Sequence, residues 1–283
     1  MRTILLGLAP ALVLTAVLAA PAAAQDMDSD PQPFSGIYVG AAGGYDVQPN
    51  PVGARLLFDR NLDGRFGDTV VTSGNTNAFS PGFCNGAARG ATPQAGGCRN
   101  DKDGWAYYGR IGADTQRGHV VVGFVGEFGK SEITDSTSGF STTPANYVLT
   151  RDVDYEASVR GRAGLAFGTT LFYGTTGAGY AKINHTFSTT NTANAFALRG
   201  DDTRFGFLAG GGIEQKIGRH FSIGLEYMYH RYNDDQFRVR VTQGSAAATN
   251  PFVLTPNTTG TDIARSDNIF RWHSMRATAA FRF

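Results

Sequence analysis

The sequence predicts an all-β protein: an eight-stranded antiparallel transmembrane β-barrel, up-and-down, with short periplasmic turns and long extracellular loops. Three observations support this fold class. Eight segments alternate apolar and polar residues with a period of two. They are longer than the five or six residues of an ordinary globular strand, as a tilted strand that crosses a bilayer has to be. The connections between them are short and long in turn, which is typical of outer-membrane barrels.

The N-terminus is predicted to be a secretory signal peptide over residues 1–24. Arg2 is followed by an apolar run that ends in a small-residue, alanine-rich cleavage site. The alternative, a membrane-spanning helix, is disfavoured because the run is shorter than the roughly 20 residues that a span requires. We expect a short periplasmic N-terminal segment over residues 25–33 and the barrel over residues 34–283.

The predicted strands follow from the alternating segments, and their connections orient the barrel. Tight turns join strands two and three, four and five, and six and seven, whereas the first extracellular loop, 48–103, is long. Both termini should therefore lie on the periplasmic, short-turn side. The predicted strands cover roughly residues 34–47, 104–115, 119–133, 153–168, 171–187, 203–217, 220–237 and 268–283.

The two faces of the strands differ in a way that predicts a membrane barrel rather than a water-soluble one. One face is apolar and aromatic in every strand except the Gly-rich fifth, whose faces the sequence leaves ambiguous. An arginine facing lipid near the midplane costs about 2–4 kcal/mol, so charges on the other face must point into the lumen. We predict a lumen charge network of Arg110, Glu127, Glu156, Arg160, Arg162, Glu214, Glu226, Arg276 and Arg282.

The chain ends on the alternating segment "MRATAAFRF". Phe281 and Phe283 fall on the lipid face at the periplasmic rim, where an aromatic girdle is expected. The last strand has to pair with the first, because an open sheet edge is not tolerated in lipid.

The segments "FSGIYVGAAGGYDV", "GFLAGGGIEQKI" and "FSIGLEYMY", with the C-terminal aromatic strand, give the chain a family resemblance. It resembles the eight-stranded outer-membrane barrels of the opacity/porin-family surface antigens, related to the transmembrane domain of OmpA. The resemblance implies the bacterial outer membrane as location, outer-membrane lipid as partner, and insertion by the barrel assembly machinery, with Phe281 and Phe283 as its C-terminal signal. The first loop is longer than in the smallest members.

The expected function depends on whether the lumen of the barrel is filled or open. An eight-stranded barrel is just wide enough to be filled by side chains, so the inward Glu and Arg residues should pair and plug it. We therefore expect a structural or surface-interaction role, with an unknown surface ligand bound through the loops. A narrow porin-type channel for small solutes is the alternative. Lys+Arg 25 against Asp+Glu 24 gives no basic excess, so no nucleic-acid partner is expected.

Catalysis is the third possibility, because some small outer-membrane barrels are lipid-modifying enzymes. His273 and Ser274 are adjacent in the last strand and so point to opposite faces, which separates a base from its nucleophile. His119, His185 and His230 have no serine at i±2, although partners from neighbouring strands stay open. His185 and His230 are expected at the outer interface. The prediction is that the protein is not an enzyme.

The first loop contains the segment "DRNLDGRFGD", which matches the start of a calcium loop. Val70 stands where a bidentate Glu is expected, and a site formed here would be weak, on the order of 10⁻⁴–10⁻³ M. The alternative is a metal-free turn, and no other cofactor is predicted. The candidate calcium ligands are Asp59, Asn61, Asp63, Arg65 through its backbone carbonyl, and Asp68.

The only two cysteines, Cys84 and Cys98, also lie in the first loop. In an exported protein such an isolated pair predicts a disulfide that closes a surface loop. No His or Cys stands at ligand spacing beside them, which disfavours a metal site.

Overall fold

The computed structural model describes residues 32–49 and 53–283; the signal-peptide prediction lies outside these residues. No described α-helix is long and apolar enough to cross a membrane. The described strands are β1 (Gly36–Val47), β2 (Leu56–Asp59), β3 (Gly82–Asn85), β4 (Ala87–Ala88), β5 (Cys98–Arg99), β6 (Gly104–Arg117), β7 (Val120–Ser131), β8 (Thr134–Ser141), β9 (Ala145–Phe167), β10 (Thr170–Thr189), β11 (Ala195–Arg199), β12 (Thr203–Ile217), β13 (Phe221–Asn233), β14 (Arg238–Thr242), β15 (Thr261–Arg265) and β16 (Ile269–Arg282). One short 3₁₀ helix, Pro251–Val253, lies between β14 and β15.

Eight of these strands form a closed antiparallel barrel in the chain order β1, β6, β7, β9, β10, β12, β13, β16. Pairing of β16 with β1 completes the circle, with Tyr38 opposite Arg282 and Val47 opposite His273. Each strand pairs with its neighbour along the chain, so the topology is up-and-down as predicted. The fold class and the closure between the first and last strands are confirmed.

The tight turns lie at one end of the barrel. Gly118, Gly168 and Gly218 occupy these turns with φ of 58°, 59° and 68°, a left-handed conformation that a residue without Cβ adopts at no steric cost. The segment that precedes β1 lies at the same end of the barrel, where Phe34 N donates to Gln116. Phe34 was predicted in the first strand, but β1 begins at Gly36 and the Phe34 ring turns inward, fully buried with Val121 and Leu171.

The outer surface of the barrel is apolar and the inner surface is charged, as predicted. Phe124, Val159 and Phe205 are 68%, 65% and 78% exposed, as lipid-facing side chains are in the protein without its bilayer. The structure also settles the ambiguous fifth strand, in which Phe172 faces outward while Leu171 and Tyr173 are buried.

Beyond the extracellular ends of the barrel strands, the connections form a folded head rather than only polar loops. The strand β8 pairs with residues 145–152 of β9, so β9 begins eight residues before its predicted start at residue 153. A separate sheet has the order β11-β14-β15-β2. Between them lies an apolar core that includes Leu56, Phe79 and Ile263.

Candidate functional site

A layer of five charged side chains crosses the middle of the lumen. Arg110 and Glu127 are direct partners in the β6–β7 register, as are Glu226 and Arg276 in the β13–β16 register. The Glu127 carboxylate lies 3.3 Å from Arg110 Nε and 2.7 Å from Arg160 Nη2. The Glu226 carboxylate lies 2.5 Å from Arg276 Nη2 and 3.3 Å from Arg160 Nη2. All five side chains are at most 3% exposed, so the layer fills the lumen at this level.

A second layer lies toward the periplasmic end. Arg162 Nη1 lies 2.8 Å from Glu214, and Arg282 Nη2 lies 2.9 Å from Asp114. The two guanidinium groups stack on the Tyr38 ring at 5.1 and 4.6 Å. The predicted set did not include Asp114. It stands four residues after Arg110 on the same strand, and the period-two pattern places both on the lumen face.

A third layer lies toward the extracellular side and differs from its predicted composition. Glu156 pairs with no arginine among the described residues; it accepts hydrogen bonds from Tyr108 Oη at 2.9 Å and His230 Nδ1 at 2.8 Å, and also from Tyr232. Three hydrogen-bond donors, rather than a salt bridge to arginine, stabilise the buried Glu156 carboxylate. His230, expected at the outer interface, lies near the extracellular end of its strand, but its side chain faces the lumen and is fully buried rather than exposed to the interface.

This layer also brings a serine to His230 from the neighbouring strand. Ser274 Oγ lies 3.4 Å from His230 Nε2, and His230 Nδ1 contacts Glu156, which is the connectivity of a Ser–His–acid set. However, the Ser274 hydroxyl donates to Asp46, and the four side chains are 0–1% exposed. The Ser274 hydroxyl is therefore enclosed and held by hydrogen bonds within the lumen. His273 faces outward, opposite to Ser274, as expected.

A fourth charged cluster lies where the barrel meets the head. Arg151 is 1% exposed and lies 2.6 Å from Asp135 and 3.2 Å from Asp234. His185 Nε2 also contacts Asp234 at 3.0 Å. His185, expected at the outer interface, thus lies at the extracellular end of the barrel, but its side chain is buried in this cluster rather than exposed. Burial by itself would raise the pKa of Asp234, but His185, Arg151 and Arg204 outweigh it and hold that pKa below its usual range.

The predicted disulfide is confirmed: Cys84 and Cys98 are bonded. The bond joins β3 to β5 within the first loop, and the pairing of β3 with β8 attaches this loop to the β8–β9 hairpin. Asp101 follows and accepts hydrogen bonds from Ser136 N and from the Asn85 amide, each at 2.8 Å. Burial, followed by the nearby Asp135 carboxylate, raises the pKa of Asp101 to about 6.

The candidate calcium segment forms a turn closed by its own side chains. Asp59 accepts hydrogen bonds from the backbone amides of Asp63 and Gly64 at 3.2 and 2.8 Å. The Asp63 carboxylate binds the Arg65 amide at 2.8 Å and the Asn61 side chain at 3.0 Å. Asp68 accepts a hydrogen bond from the Arg60 amide at 2.8 Å. Among residues 32–49 and 53–283, no group of three or more His, Cys, Asp or Glu side chains is arranged to hold a metal ion. Calcium binding by this turn, which would also use Asn61 and the Arg65 carbonyl, stays a prediction.

The head contains a cavity of about 260 Å³ between its loops. Its floor is aromatic, with Phe79, Tyr147 and Phe252 packed at centroid distances of 5.2–5.9 Å. Its rim is polar and uncharged and includes Thr142 and Asn191. This cavity was not predicted, because its walls come from loops that are far apart along the chain.

The C-terminal phenylalanines lie where they were expected. Phe281 and Phe283 are 46% and 72% exposed on the outer face at the short-turn end, and their rings contact each other edge to face at 5.3 Å. The Phe283 amide donates to the Ile37 carbonyl at 2.9 Å, so pairing with β1 continues to the last residue. Their role as an assembly signal stays a prediction.

Comparison with known proteins gives distant similarities. No protein-family model matches the chain. A 22 kDa outer membrane protein of Rhizobium leguminosarum bv. viciae is 25% identical over 158 residues, which are 55% of this chain and 66% of that protein, just under two thirds of its length. The outer membrane protein OprG of Pseudomonas aeruginosa is 11% identical with a TM-score of 0.48, and the match covers 88% of this chain and 96% of that one. Ail, the attachment invasion locus protein of Yersinia pestis, solved with the heparin analogue sucrose octasulfate, is 12% identical with a TM-score of 0.33 over 88% of this chain and 99% of that one.

The closed sheet, its apolar outer face and its paired internal charges together fit only an environment that is lipid outside and polar inside. The relative matched by sequence is itself an outer membrane protein. The chain is an eight-stranded antiparallel β-barrel protein of the bacterial outer membrane.

Proposed function

We propose that this protein acts at the cell surface through its extracellular head, and that its barrel is a closed anchor rather than a solute channel. The observation that carries the proposal is the central layer, in which Glu127 and Glu226 hold Arg110, Arg160 and Arg276 across the lumen. All five charged side chains of this layer are held in buried ion pairs, and opening a path would separate these partners at a cost of several kcal/mol.

The periplasmic entrance supports the same proposal. The Phe34 ring is fully buried against residues of the lumen wall, and its backbone carbonyl accepts a hydrogen bond from Arg282 Nη1 at 2.7 Å. The Phe34 amide donates to Gln116 Oε1 at 3.1 Å, which fixes this segment across the mouth of the barrel. A solute would have to displace this segment before it reached the charged layers.

The head supports a binding role. It has its own apolar core, a disulfide and the cavity with an aromatic floor, all outside the membrane-spanning strands. Such a fold is more than short connections between strands require, and binding residues are often carried on loops that a rigid scaffold positions. A polar, uncharged rim above aromatic rings suits a neutral ligand, such as a carbohydrate or an uncharged peptide segment.

The proposal is tested with liposomes that carry the refolded protein. They are incubated with an array of immobilised polysaccharides and extracellular proteins, and the bound liposomes are counted. We expect binding by the wild type and its loss in Asn191→Ala and Thr142→Tyr, both on the cavity rim, with unchanged heat-modifiable migration as the folding control. Absence of binding by the wild type, together with solute uptake into the same liposomes, would contradict the proposal.

A narrow channel for small solutes is the second candidate. It is favoured by the continuous polarity of the lumen, where charged layers follow one another from Asp114 to Glu156. In that case a rearrangement of the arginine side chains would create the path. Lipid-modifying activity receives less support, because the Ser274 hydroxyl is enclosed and bound by Asp46.

A further inference from the structure

Two arginines face each other on the outer surface of the barrel, near its extracellular end. Arg231 of β13 and Arg271 of β16 are direct partners in the antiparallel register, and both are exposed. Each belongs to the set of alternate residues that face outward on its strand. The next residues in those sets, toward the membrane, are Tyr229 and His273, whose ring centroids are 5.3 Å apart.

This arrangement is unfavourable unless an anion is present. Like charges directly opposite each other on neighbouring strands destabilise a sheet. Within the described part of the chain, neither Arg231 nor Arg271 has an ion pair or a side-chain hydrogen bond. By contrast, Lys182 on the same outer surface lies 3.0 Å from Asp154. Two unpaired guanidinium groups side by side are complementary to a phosphate, which accepts several charge-assisted hydrogen bonds at once.

The depth of the pair in the membrane points to the source of that phosphate. Arg271 precedes Phe281, at the periplasmic rim, by ten residues along β16. With about 3.3 Å per residue and a tilt of about 40°, this separation spans roughly 25 Å along the membrane normal, which is about the height of the apolar band of such barrels. The two guanidinium groups therefore lie at the level of the lipid headgroups in the outer leaflet.

The surroundings of the pair are those of a lipid rather than of a soluble anion. The Tyr227 hydroxyl and His273 Nδ1 form a hydrogen bond of 2.6 Å, which holds the imidazole beside the arginines. Phe207, the other register partner of Arg231, is 50% exposed on the same surface. We propose that Arg231 and Arg271 bind the phosphate of an anionic outer-leaflet lipid, whose apolar portion contacts the aromatic side chains below.

The first test measures lipid binding directly. The refolded full chain is titrated in neutral detergent micelles with bisphosphorylated lipid A, with dephosphorylated lipid A, and with inorganic phosphate, and the bound fraction is read by native mass spectrometry. We expect a preference for the phosphorylated lipid that falls on the order of thirtyfold in R231Q/R271Q, from about 1 kcal/mol for each cationic side chain near a membrane surface. The matched control is R89Q/R199Q, which removes two exposed arginines of the head.

The second test uses the sign of a stability change. In neutral lipid, Arg271→Gln removes a repulsion and should raise the unfolding midpoint, whereas in vesicles containing phosphorylated lipid A it should lower the midpoint. Equal binding of both lipids, equal loss in the two double variants, or the same sign of change in both membranes would overturn the proposal. Saturation by inorganic phosphate at the same concentration as the lipid would overturn the assignment to a lipid.

Discussion

Replacing Glu226 with Gln tests the central lumen layer. The Glu226 carboxylate has no exposed surface and contacts Arg110, Arg160 and Arg276, and it accepts a hydrogen bond from Tyr173 Oη at 2.7 Å. Gln keeps the size and one acceptor oxygen of Glu but removes the negative charge. Three arginines then face only Glu127, so the net charge of the buried layer rises from +1 to +2.

The expected loss is large because the charges are enclosed. Removing one partner of a buried ion pair costs about 3–5 kcal/mol, since the remaining charge stays desolvated without compensation. We expect a loss of this size in the free energy of unfolding of Glu226→Gln. The double variant Glu226→Gln, Arg110→Gln restores the net charge of +1 and should recover part of the loss.

The assay is urea-induced unfolding in neutral lipid vesicles at pH 7, followed by tryptophan fluorescence. Trp105 is 64% exposed on the lipid face, so its emission changes when its strand leaves the bilayer. The control is Asp154→Asn, which breaks the outward pair with Lys182; their side chains are 37% and 38% exposed, and the expected cost is about 0–1 kcal/mol. If Glu226→Gln costs no more than this control, the central ion pairs do not stabilise the lumen.

Three further predictions concern the head and the third layer. Replacing Cys84 and Cys98 with Ser should lower the stability of the head by about 3 kcal/mol, because the bond closes a 14-residue separation, and limited proteolysis should then cut the first loop while the barrel stays intact. Because the pKa of Asp101 is raised to about 6, its contribution to stability is complete below the unfolded value of about 4 and is lost as pH rises through 6; hydrogen exchange should show this decline in the wild type and its absence in Asp101→Asn. Ser274→Ala removes a donor from Asp46 and should cost about 1–3 kcal/mol in the unfolding assay, and a change in phospholipid or lipid A hydrolysis would contradict the enclosed geometry.

The membrane-spanning strands were predictable because their two faces lie in different solvents. In β12 the observed bounds equal the predicted ones, 203–217, and in β6 every second residue is exposed and the others are buried. Lipid on one side and paired charges on the other impose this alternation on the sequence. The same alternation places His230 with Glu226 on the lumen face. The expectation for His230 relied on its residue type, whereas the period-two alternation of β13 already indicated a side chain that faces the lumen.

The head was not predictable by the same argument. In β8 and in the first five residues of β9, neighbouring residues are buried alike, because both faces of this hairpin are covered. Alternation disappears there, and the segments look like polar loops. The ion pair of Arg151 with Asp234 joins residues that are 83 positions apart along the chain, and a single sequence contains no signal for such a pairing.

The most direct test of the closed barrel is single-channel conductance of the refolded, unboiled protein in a planar bilayer. We expect a silent bilayer for well-folded wild-type protein, because the paired charges of the lumen and the Phe34 segment block the path at different levels. Stable openings whose conductance changes when Glu127 is replaced with Gln or Arg160 with Met would contradict this expectation. They would show that the central layer lines a channel instead of closing one.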